Sequence, residues 1–360
     1  MIAYGGRWGG LPHLPPPPPA AGRQGCAWPV ATPSGRLLEL EEASVQLDRA
    51  LKPAGPRANA HRFRLSLQRR EAIACALFIA PAVLGFLVFS LFPLLTSAAL
   101  SLTDYHLAGW PRYVGLANYA TLFGDDLWWQ AVRVTGIYAL CVVPLWLINS
   151  LALALLMNQN LRGMNVFRTI YYLPAMLSGV AVSMLWIWLL SYRYGLINTS
   201  LRLVGVQGPN WVGDKRWALF SIILMSQWSV GWYLPTWLGA LQNIPTELYE
   251  AASIDGGGWW ARIRYITLPM LSAVIFYNLI MNIIWATQLF TEVFMVTGGG
   301  PQFSTLSYML YLYNNAFGYS KMGVASAMSW LLFLAVLLLT IAVFRSSPAW
   351  VYYEAERRRA

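Results

Sequence analysis

The chain has 360 residues, of which 57% are hydrophobic and only 11% are charged. Because soluble domains usually carry about 25% charged residues, this composition excludes an ordinary soluble protein and predicts an all-α, polytopic membrane protein. The net charge of +10 is spread over helix ends without an RNA- or DNA-binding motif. We therefore expect contact with anionic membrane lipid and no nucleic-acid partner.

The N-terminal segment 1–70 differs in kind from the rest of the chain. It contains a proline run at Leu14–Ala20, many small and polar residues, and no long apolar period. Such a composition favours disorder, with the prolines in a polyproline II conformation. We predict a disordered, proline-rich cytoplasmic tail. Since the first long apolar run starts at Ala72 and is long enough to span a membrane, we expect no cleaved signal peptide.

Six uncharged apolar runs follow, and each exceeds the ~20 residues that a helix needs to cross the hydrocarbon core. Six spans leave both chain ends in the cytoplasm. The excess of arginine near those ends supports this orientation, although the loop between spans three and four also carries basic residues. A cytoplasmic C-terminal tail is expected at 347–360. The predicted membrane domain covers 71–346, with spans at about 73–100, 134–157, 169–191, 217–241, 267–291 and 322–344.

The loop between spans four and five, 243–265, is unusually acidic and glycine-rich. Pro245 is suited to the first turn of a helix, and Thr246 is expected to cap it. Asp255 and Gly256 should stop that helix, since glycine tolerates left-handed dihedral angles. A second helix is expected from Trp259. A short helix, a sharp bend and small residues would let another protein surface approach closely, whereas a helix lying on the bilayer would carry Lys or Arg on its polar face.

This loop resembles the EAA loop of ABC importer permeases with the type I, MetI-like architecture. The matching residues are Glu250, Ala251, Ala252, Asp255, Gly256 and Pro269. The resemblance covers about Glu71 to Ser346, and the segments "LTDYHLAGWPRYVGLANYATLF" and "TGGGPQFSTLSYMLYLYNNAF" extend it. It is strongest to the maltose, multiple-sugar and glycerol-3-phosphate group. Gly257 and Ile263 depart from the family pattern, which has alanine and an aromatic residue there.

The resemblance implies a mechanism and a set of partners. In that family the EAA segment is a coupling helix that docks into a cytoplasmic ATPase subunit. Two such subunits bind ATP and Mg²⁺, a second and usually unlike permease completes the pore, and an extracellular or periplasmic solute-binding protein delivers the substrate. This chain would then bind no cofactor itself and would lie in the cell membrane of a prokaryote.

A neutral carbohydrate should bind between aromatic faces, amides and hydroxyls near the middle of the pore. Trp228 and Trp232 lie four residues apart in span four. Trp285 lies three residues from both Asn282 and Gln288 in span five. Packing and interhelical hydrogen bonding would use the same residue types. The predicted pore residues are Gln227, Trp228, Ser229, Trp232, Tyr233, Asn282, Trp285 and Gln288.

The apolar stretch Val293–Ser320 is interpreted as an outer loop with a partly embedded segment, because "TGGGPQFST" would leave backbone groups unsatisfied in lipid. Glu292, at the outer end of span five, is expected to make a local structural pair rather than to carry protons.

No catalytic or metal-binding pattern is present. The chain has no phosphate-binding loop, and Cys26, Cys75 and Cys141 are too scattered for a disulfide framework or a zinc site. We therefore expect no catalytic residue, no metal and no ATPase activity in this chain. The alternatives left open are a permease for another solute, such as glycerol-3-phosphate or a peptide, and a stand-alone secondary transporter, for which an ion-coupling carboxylate and inverted repeats are lacking.

Overall fold

The computed structural model describes residues 60–106, 109–159 and 161–352. The disorder predicted over 1–59 and the tail predicted over 353–360 lie outside these residues. The chain divides into two compact units, Met1–Ala80 and Pro81–Ala360. The second unit contains all the sites discussed below.

The first helix, α1, runs over Ala60–Phe86 and continues through one π-helical turn, Leu87–Leu91, into α2, Phe92–Ser101. It begins inside the segment predicted to be disordered. The physical reason is that extending an existing helix needs no new nucleus, and no glycine or proline interrupts α1 before Pro81.

An outer segment links α2 to the second long helix. Strands β1, Thr103–Asp104, and β2, Arg112–Tyr113, pair antiparallel and are followed by α3, Ala117–Phe123. The buried Asn118 amide donates to the carbonyl oxygens of Ser101 at 2.8 Å and Thr103 at 2.9 Å. These bonds satisfy carbonyls at the end of α2 that have no helical partner.

The longest helix, α4, covers Asp126–Met157, and both of its ends are capped by side chains. At the outer end, Asp125 accepts from the Leu127 amide at 2.9 Å and from the Tyr311 hydroxyl. Burial, and then the bond to Asp125, raises the pKa of Tyr311 to about 12, so the phenol stays a donor at neutral pH. At the other end, Arg168 donates to the Met157 carbonyl from Nη2 at 2.7 Å and Nε at 3.2 Å.

The predicted third and fourth spans are not single helices. A break at Leu177–Ser178 separates α5, Met164–Tyr172, with its 3₁₀ turn Leu173–Met176, from α6, Gly179–Leu189, and the two halves meet at 98°. Ser178 caps α6 by accepting from the Ala181 amide at 3.3 Å. After α7, Leu196–Leu203, the fourth run consists of α8, Ala218–Ser226, a 3₁₀ segment, Gln227–Tyr233, and α9, Leu234–Gln242.

Six uninterrupted spans are therefore not confirmed. Among the described residues, four helical stretches are long and apolar enough to cross a membrane, or five if the bent pair counts as one span. The four are Ala74–Ser101, Asp126–Met157, Ser272–Val296 and Met322–Ala349. The third and fourth apolar runs are interrupted where proline and serine supply local alternatives to the helical hydrogen-bond ladder.

Several short helices follow α9. They are α10, Thr246–Ile254; α11, Trp259–Arg262; a π turn, Ile263–Thr267; and α12, Leu268–Met270. The fifth apolar run forms α13, Ser272–Thr287, and α14, Thr291–Val296. The last elements in the described part of the chain are α15, Tyr308–Tyr313; a π turn, Asn314–Gly318; α16, Met322–Ser346; and a 3₁₀ turn, Ser347–Ala349.

The segment after α14 folds into an irregular loop that satisfies its own polar groups. Gly298 and Gly299 adopt positive φ angles of 58° and 88°. The fully buried Thr305 hydroxyl contacts the Thr297 hydroxyl and the Gly300 carbonyl, each at 2.7 Å. Irregular backbone at membrane depth is tolerated where protein groups supply its hydrogen bonds.

The main apolar core lies along α4, where side chains from α8, α13, α15 and α16 meet. A second core joins the C-terminal end of α4 to α9 and the start of α13. Trp237 is fully buried in this second core, and its indole donates to the Ser150 hydroxyl at 2.8 Å. The two cores hold α4, α9 and α13 against one another.

Candidate functional site: a surface helix and an aromatic cavity

The acidic loop forms a helix, a tight bend and a second helix. Helix α10 begins at Thr246 after the N-cap residue Pro245, so Thr246 is the first helical residue and not the cap that the sequence predicts. Gly256 ends the helix with a positive φ of 75°, a conformation that glycine adopts without steric penalty. The Gly257 amide donates to the Ala252 carbonyl at 2.7 Å.

An arginine in α11 makes hydrogen bonds to the backbone of the bend. Arg262 Nε donates to the Gly257 carbonyl at 3.0 Å, and the Arg262 amide donates to the Gly258 carbonyl at 3.1 Å. One side chain therefore fixes the angle between α10 and α11.

Most of the predicted coupling residues are exposed in this chain. Glu250, Ala251, Asp255 and Gly256 are exposed, as is Pro269, and Ala252 is half-buried. Apolar side chains beside them are also uncovered: Ile254 is 87% exposed, and the stacked pair Trp259 and Trp260 are 70% and 68% exposed. An acidic surface with adjoining uncovered apolar groups is typical of a surface that contacts another protein or the membrane.

The surface helix is joined to the core by a tyrosine that the sequence analysis missed. The Tyr249 hydroxyl lies 3.0 Å from the Thr267 hydroxyl, and Thr267 is 3% exposed. The Tyr249 ring packs against the second core. This contact links α10 to the π turn that precedes α12 and α13. Tyr249 is the one aromatic residue within Thr246–Ile254, and this was the available signal.

A cavity of about 380 Å³ lies among α4, α6, the 3₁₀ segment, α13 and α14. Six of its sixteen lining residues are aromatic, and its polar side chains include hydroxyls, one amide and one carboxylate. The aromatic residues are Tyr138, Trp146, Trp232, Tyr233, Trp285 and Phe290; the polar ones are Ser226, Ser229, Gln288, Thr291 and Glu292.

The structure brings five of the eight predicted pore residues to this cavity: Ser229, Trp232, Tyr233, Trp285 and Gln288. The other three lie elsewhere. Trp228 packs edge-on against Trp186 at 6.0 Å. Gln227 accepts from the Asn149 amide at 2.9 Å.

The helix type explains the placement of Trp228. We predicted that Trp228 and Trp232 share a face because four residues make about one turn of an α-helix. The segment is a 3₁₀ helix, which has about three residues per turn. Ser229 and Trp232 therefore share a face, and Trp228 points about 120° away.

Asn282 lies in α13 but does not line the cavity. Three residues rotate an α-helix by about 300°, so residues 282 and 288 lie about 120° apart. Asn282 is 1% exposed, and within the described part of the chain neither amide atom has a hydrogen-bond partner.

The sequence analysis missed several cavity residues, including Tyr138, Ser226 and Thr291. Tyr138 lies in mid-helix with no neighbouring polar residue to mark it. Glu292 was recognised, but the structure differs from the expected local pair: no hydrogen bond or ion pair to its carboxylate occurs in the described segments.

Comparison with known proteins identifies the family. The profile of the binding-protein-dependent transport system inner membrane components matches residues 147–349, which is more than half of the chain. The chain belongs to this family. The matched region of this permease contains α10, α11 and all of the cavity except its outer α4 residues.

Two relatives cover most of the permease. It is 40% identical to the probable ABC transporter permease protein YesP of Bacillus subtilis over 80% of this chain and 94% of that one. It is 37% identical to the lactose transport system permease protein LacF of Rhizobium radiobacter over 78% and 96%. Since these relatives are permease proteins, the chain is a transport subunit and a multi-pass membrane protein.

A solved structure supports the same fold. A chain of a bacterial alginate ABC transporter, crystallised with an alginate pentasaccharide-bound periplasmic protein, superposes with a TM-score of 0.70. The alignment covers 79% of this permease and 97% of that chain at 22% identity.

Proposed function

We propose that this permease is the pore-forming membrane subunit of an ATP-driven importer for a neutral carbohydrate. The observation that carries the proposal is the exposed helix and bend of α10, with Glu250 and Asp255 uncovered and Tyr249 anchored in the core. This arrangement can transmit force from a separate protein to the membrane helices.

Glu250, Ala251, Ala252, Asp255 and Gly256 are proposed to contact a cytoplasmic ATPase subunit. Two such subunits would bind ATP and Mg²⁺, and this chain would bind no cofactor. Their closure would push α10, and the hydrogen bond between Tyr249 and Thr267 would carry that movement into α13. Pro269 lies in α12 between the bend and α13, where it would help set the direction of entry into the membrane.

Six spans with both ends cytoplasmic remain the proposed topology. The bent pair α5–α6 would form the third span. The fourth would be the continuous helical stretch α8, 3₁₀ segment and α9, which covers 218–242. At about 1.5–2 Å rise per residue, that stretch exceeds the ~30 Å hydrocarbon core.

The cavity supports a carbohydrate as the transported solute. Trp232 and Trp285 offer apolar ring faces to sugar C–H groups, and Ser229 and Gln288 offer hydrogen bonds to hydroxyls. The relative LacF is named for lactose transport, which fits this chemistry. A solute-binding protein, a second permease chain and a prokaryotic cell membrane complete the proposed system.

The decisive experiment replaces Glu250 with alanine in the complete transporter, reconstituted with its ATPase, its partner permease and its binding protein. Sugar uptake and binding-protein-stimulated ATP hydrolysis should both fall at least tenfold, while membrane insertion is unchanged. Gly256→Pro should have the same effect, because proline cannot adopt the positive φ of this bend.

Glu71→Ala is the matched control. Glu71 is an exposed carboxylate near the cytoplasmic end of the first predicted span, and its removal should leave uptake unchanged. Normal uptake in both the Glu250 and Gly256 variants would refute the coupling role of α10.

A further inference from the structure

The cavity contains one fixed charge, the carboxylate of Glu292. This residue is half-buried in the first turn of α14, and its neighbours Thr291 and Gln288 also line the cavity. No lysine, arginine or histidine contributes to the cavity lining over the residues that the structure describes. The cavity is therefore electrostatically negative.

Glu292 also has hydrogen-bonding capacity that the protein leaves unused. An ionised carboxylate accepts several hydrogen bonds through its two oxygens. In the described chain neither oxygen has a protein donor. A structural role at the start of α14 through the helix dipole would not require the side chain to line a cavity.

The other groups that line the cavity indicate which ligand could donate hydrogen bonds to the Glu292 carboxylate. Neighbouring hydroxyls of a sugar are paired donors that suit a carboxylate. Trp232 and Trp285 supply ring faces in the same cavity, and Gln288, at the end of α13, supplies an amide. An uncharged, hydroxyl-rich ligand can satisfy all of these groups together.

A sugar acid would instead bring a second negative charge into the cavity. Like charges repel more strongly where protein excludes part of the water, and no described cation lines the cavity to offset that repulsion. Specificity commonly arises from such a repulsive element combined with an attractive one.

We propose that Glu292 is a substrate-binding residue that accepts hydrogen bonds from sugar hydroxyls and selects neutral carbohydrates against their anionic counterparts. The proposal rests on the carbohydrate-import function proposed above. Glu292 acts through direct contact with the sugar, and its negative charge is the source of the selectivity.

Direct binding to the complete transporter in nanodiscs, without the solute-binding protein, tests this assignment. The probes are two matched pairs, lactose with lactobionate and maltose with maltobionate, measured by isothermal titration. The wild-type protein should bind the neutral member of at least one pair at least tenfold more tightly. In Glu292→Gln this preference should fall to within about threefold, while Glu292→Asp should retain it because the charge remains.

Asp126→Asn removes a carboxylate from the same side of the protein but outside the cavity, and its preference should equal that of the wild type. The proposal is overturned if the wild type binds no neutral probe, if it binds the anions equally well, or if Glu292→Gln keeps the full preference. The wild-type measurement alone can overturn the proposal even where a variant fails to fold. ATP-driven uptake that still depends on Glu250 would show that the transport proposal survives such a failure.

Discussion

Gly231 is the position where the packing of the broken third and fourth runs can be tested most directly. It lies in the 3₁₀ segment and is buried against the end of α5. A Cβ atom at this position would overlap the Tyr171 carbonyl oxygen and would lie 2.8 Å from the Tyr171 carbonyl carbon and 3.3 Å from the Tyr172 Cα. All three are backbone atoms, so no side-chain rotation can relieve the overlap.

Gly231→Ala should therefore push the 3₁₀ segment and α5 apart. Overpacking of this kind destabilises by about 1–3 kcal/mol. At about 2.1 cal/mol/K of unfolding entropy per residue, about 2 kcal/mol lowers the melting temperature of a 360-residue chain by about 2–3 °C. Sugar uptake should also fall, because Ser229 and Trp232 line the cavity from the same segment.

The assay is thermal melting of the detergent-solubilised protein, in which the loss of its monodisperse chromatographic peak is measured against temperature. Gly239→Ala in α9 is the control, because a Cβ there meets no atom within 4 Å. Alanine in a helix interior is favoured over glycine by about 1 kcal/mol, so this variant should melt at or above the wild-type temperature. Equal melting of Gly231→Ala and wild type would refute the close approach.

Two further predictions concern the contacts made by Tyr249 and Arg168. Tyr249→Phe removes a hydrogen bond to Thr267 worth about 0.5–1.5 kcal/mol, and it should raise the number of ATP molecules hydrolysed per sugar imported. The control Tyr265→Phe changes a side chain that is 76% exposed and should leave this number unchanged. An unchanged number in Tyr249→Phe would contradict the proposed transmission of movement from α10. Arg168→Ala removes both hydrogen bonds to the Met157 carbonyl and should lower the melting temperature by several degrees. Arg168→Lys should recover only part of this loss, because lysine lacks the planar pair of donors of arginine. Full recovery in Arg168→Lys would contradict the role of that paired geometry.

The acidic loop was predictable because its signals are local. Pro245, Asp255 and Gly256 determine where a helix starts and stops through their own backbone preferences, and the structure has α10 between them. The anchoring of that helix was not predictable. The Tyr249–Thr267 bond joins residues on either side of the bend, and only the folded bend brings them together.

Five of the eight residues predicted to line the pore lie at the cavity, and Trp228 and Asn282 lie elsewhere for different reasons. The spacing of Trp228 was converted into a helix face by assuming an α-helix, but its segment is a 3₁₀ helix. Asn282 does lie in a regular α-helix, but six residues of α-helix separate it from Gln288 by about 120°, so the two do not share a face. A change of helix type alters the rotation about the helix axis per residue. The type of helix that forms depends on tertiary contacts such as the approach of Gly231 to Tyr171.

The sequence by itself determined that this is a helical membrane protein with an acidic, glycine-terminated surface helix. Avoidance of charge over long runs and the backbone preferences of proline and glycine act over a few residues, so they can be recognised in the chain. The tertiary structure decided where the apolar runs break and which side chains share a cavity. Those outcomes depend on distant segments: Tyr138 and Glu292 reach the same cavity only because α4, α13 and α14 pack together.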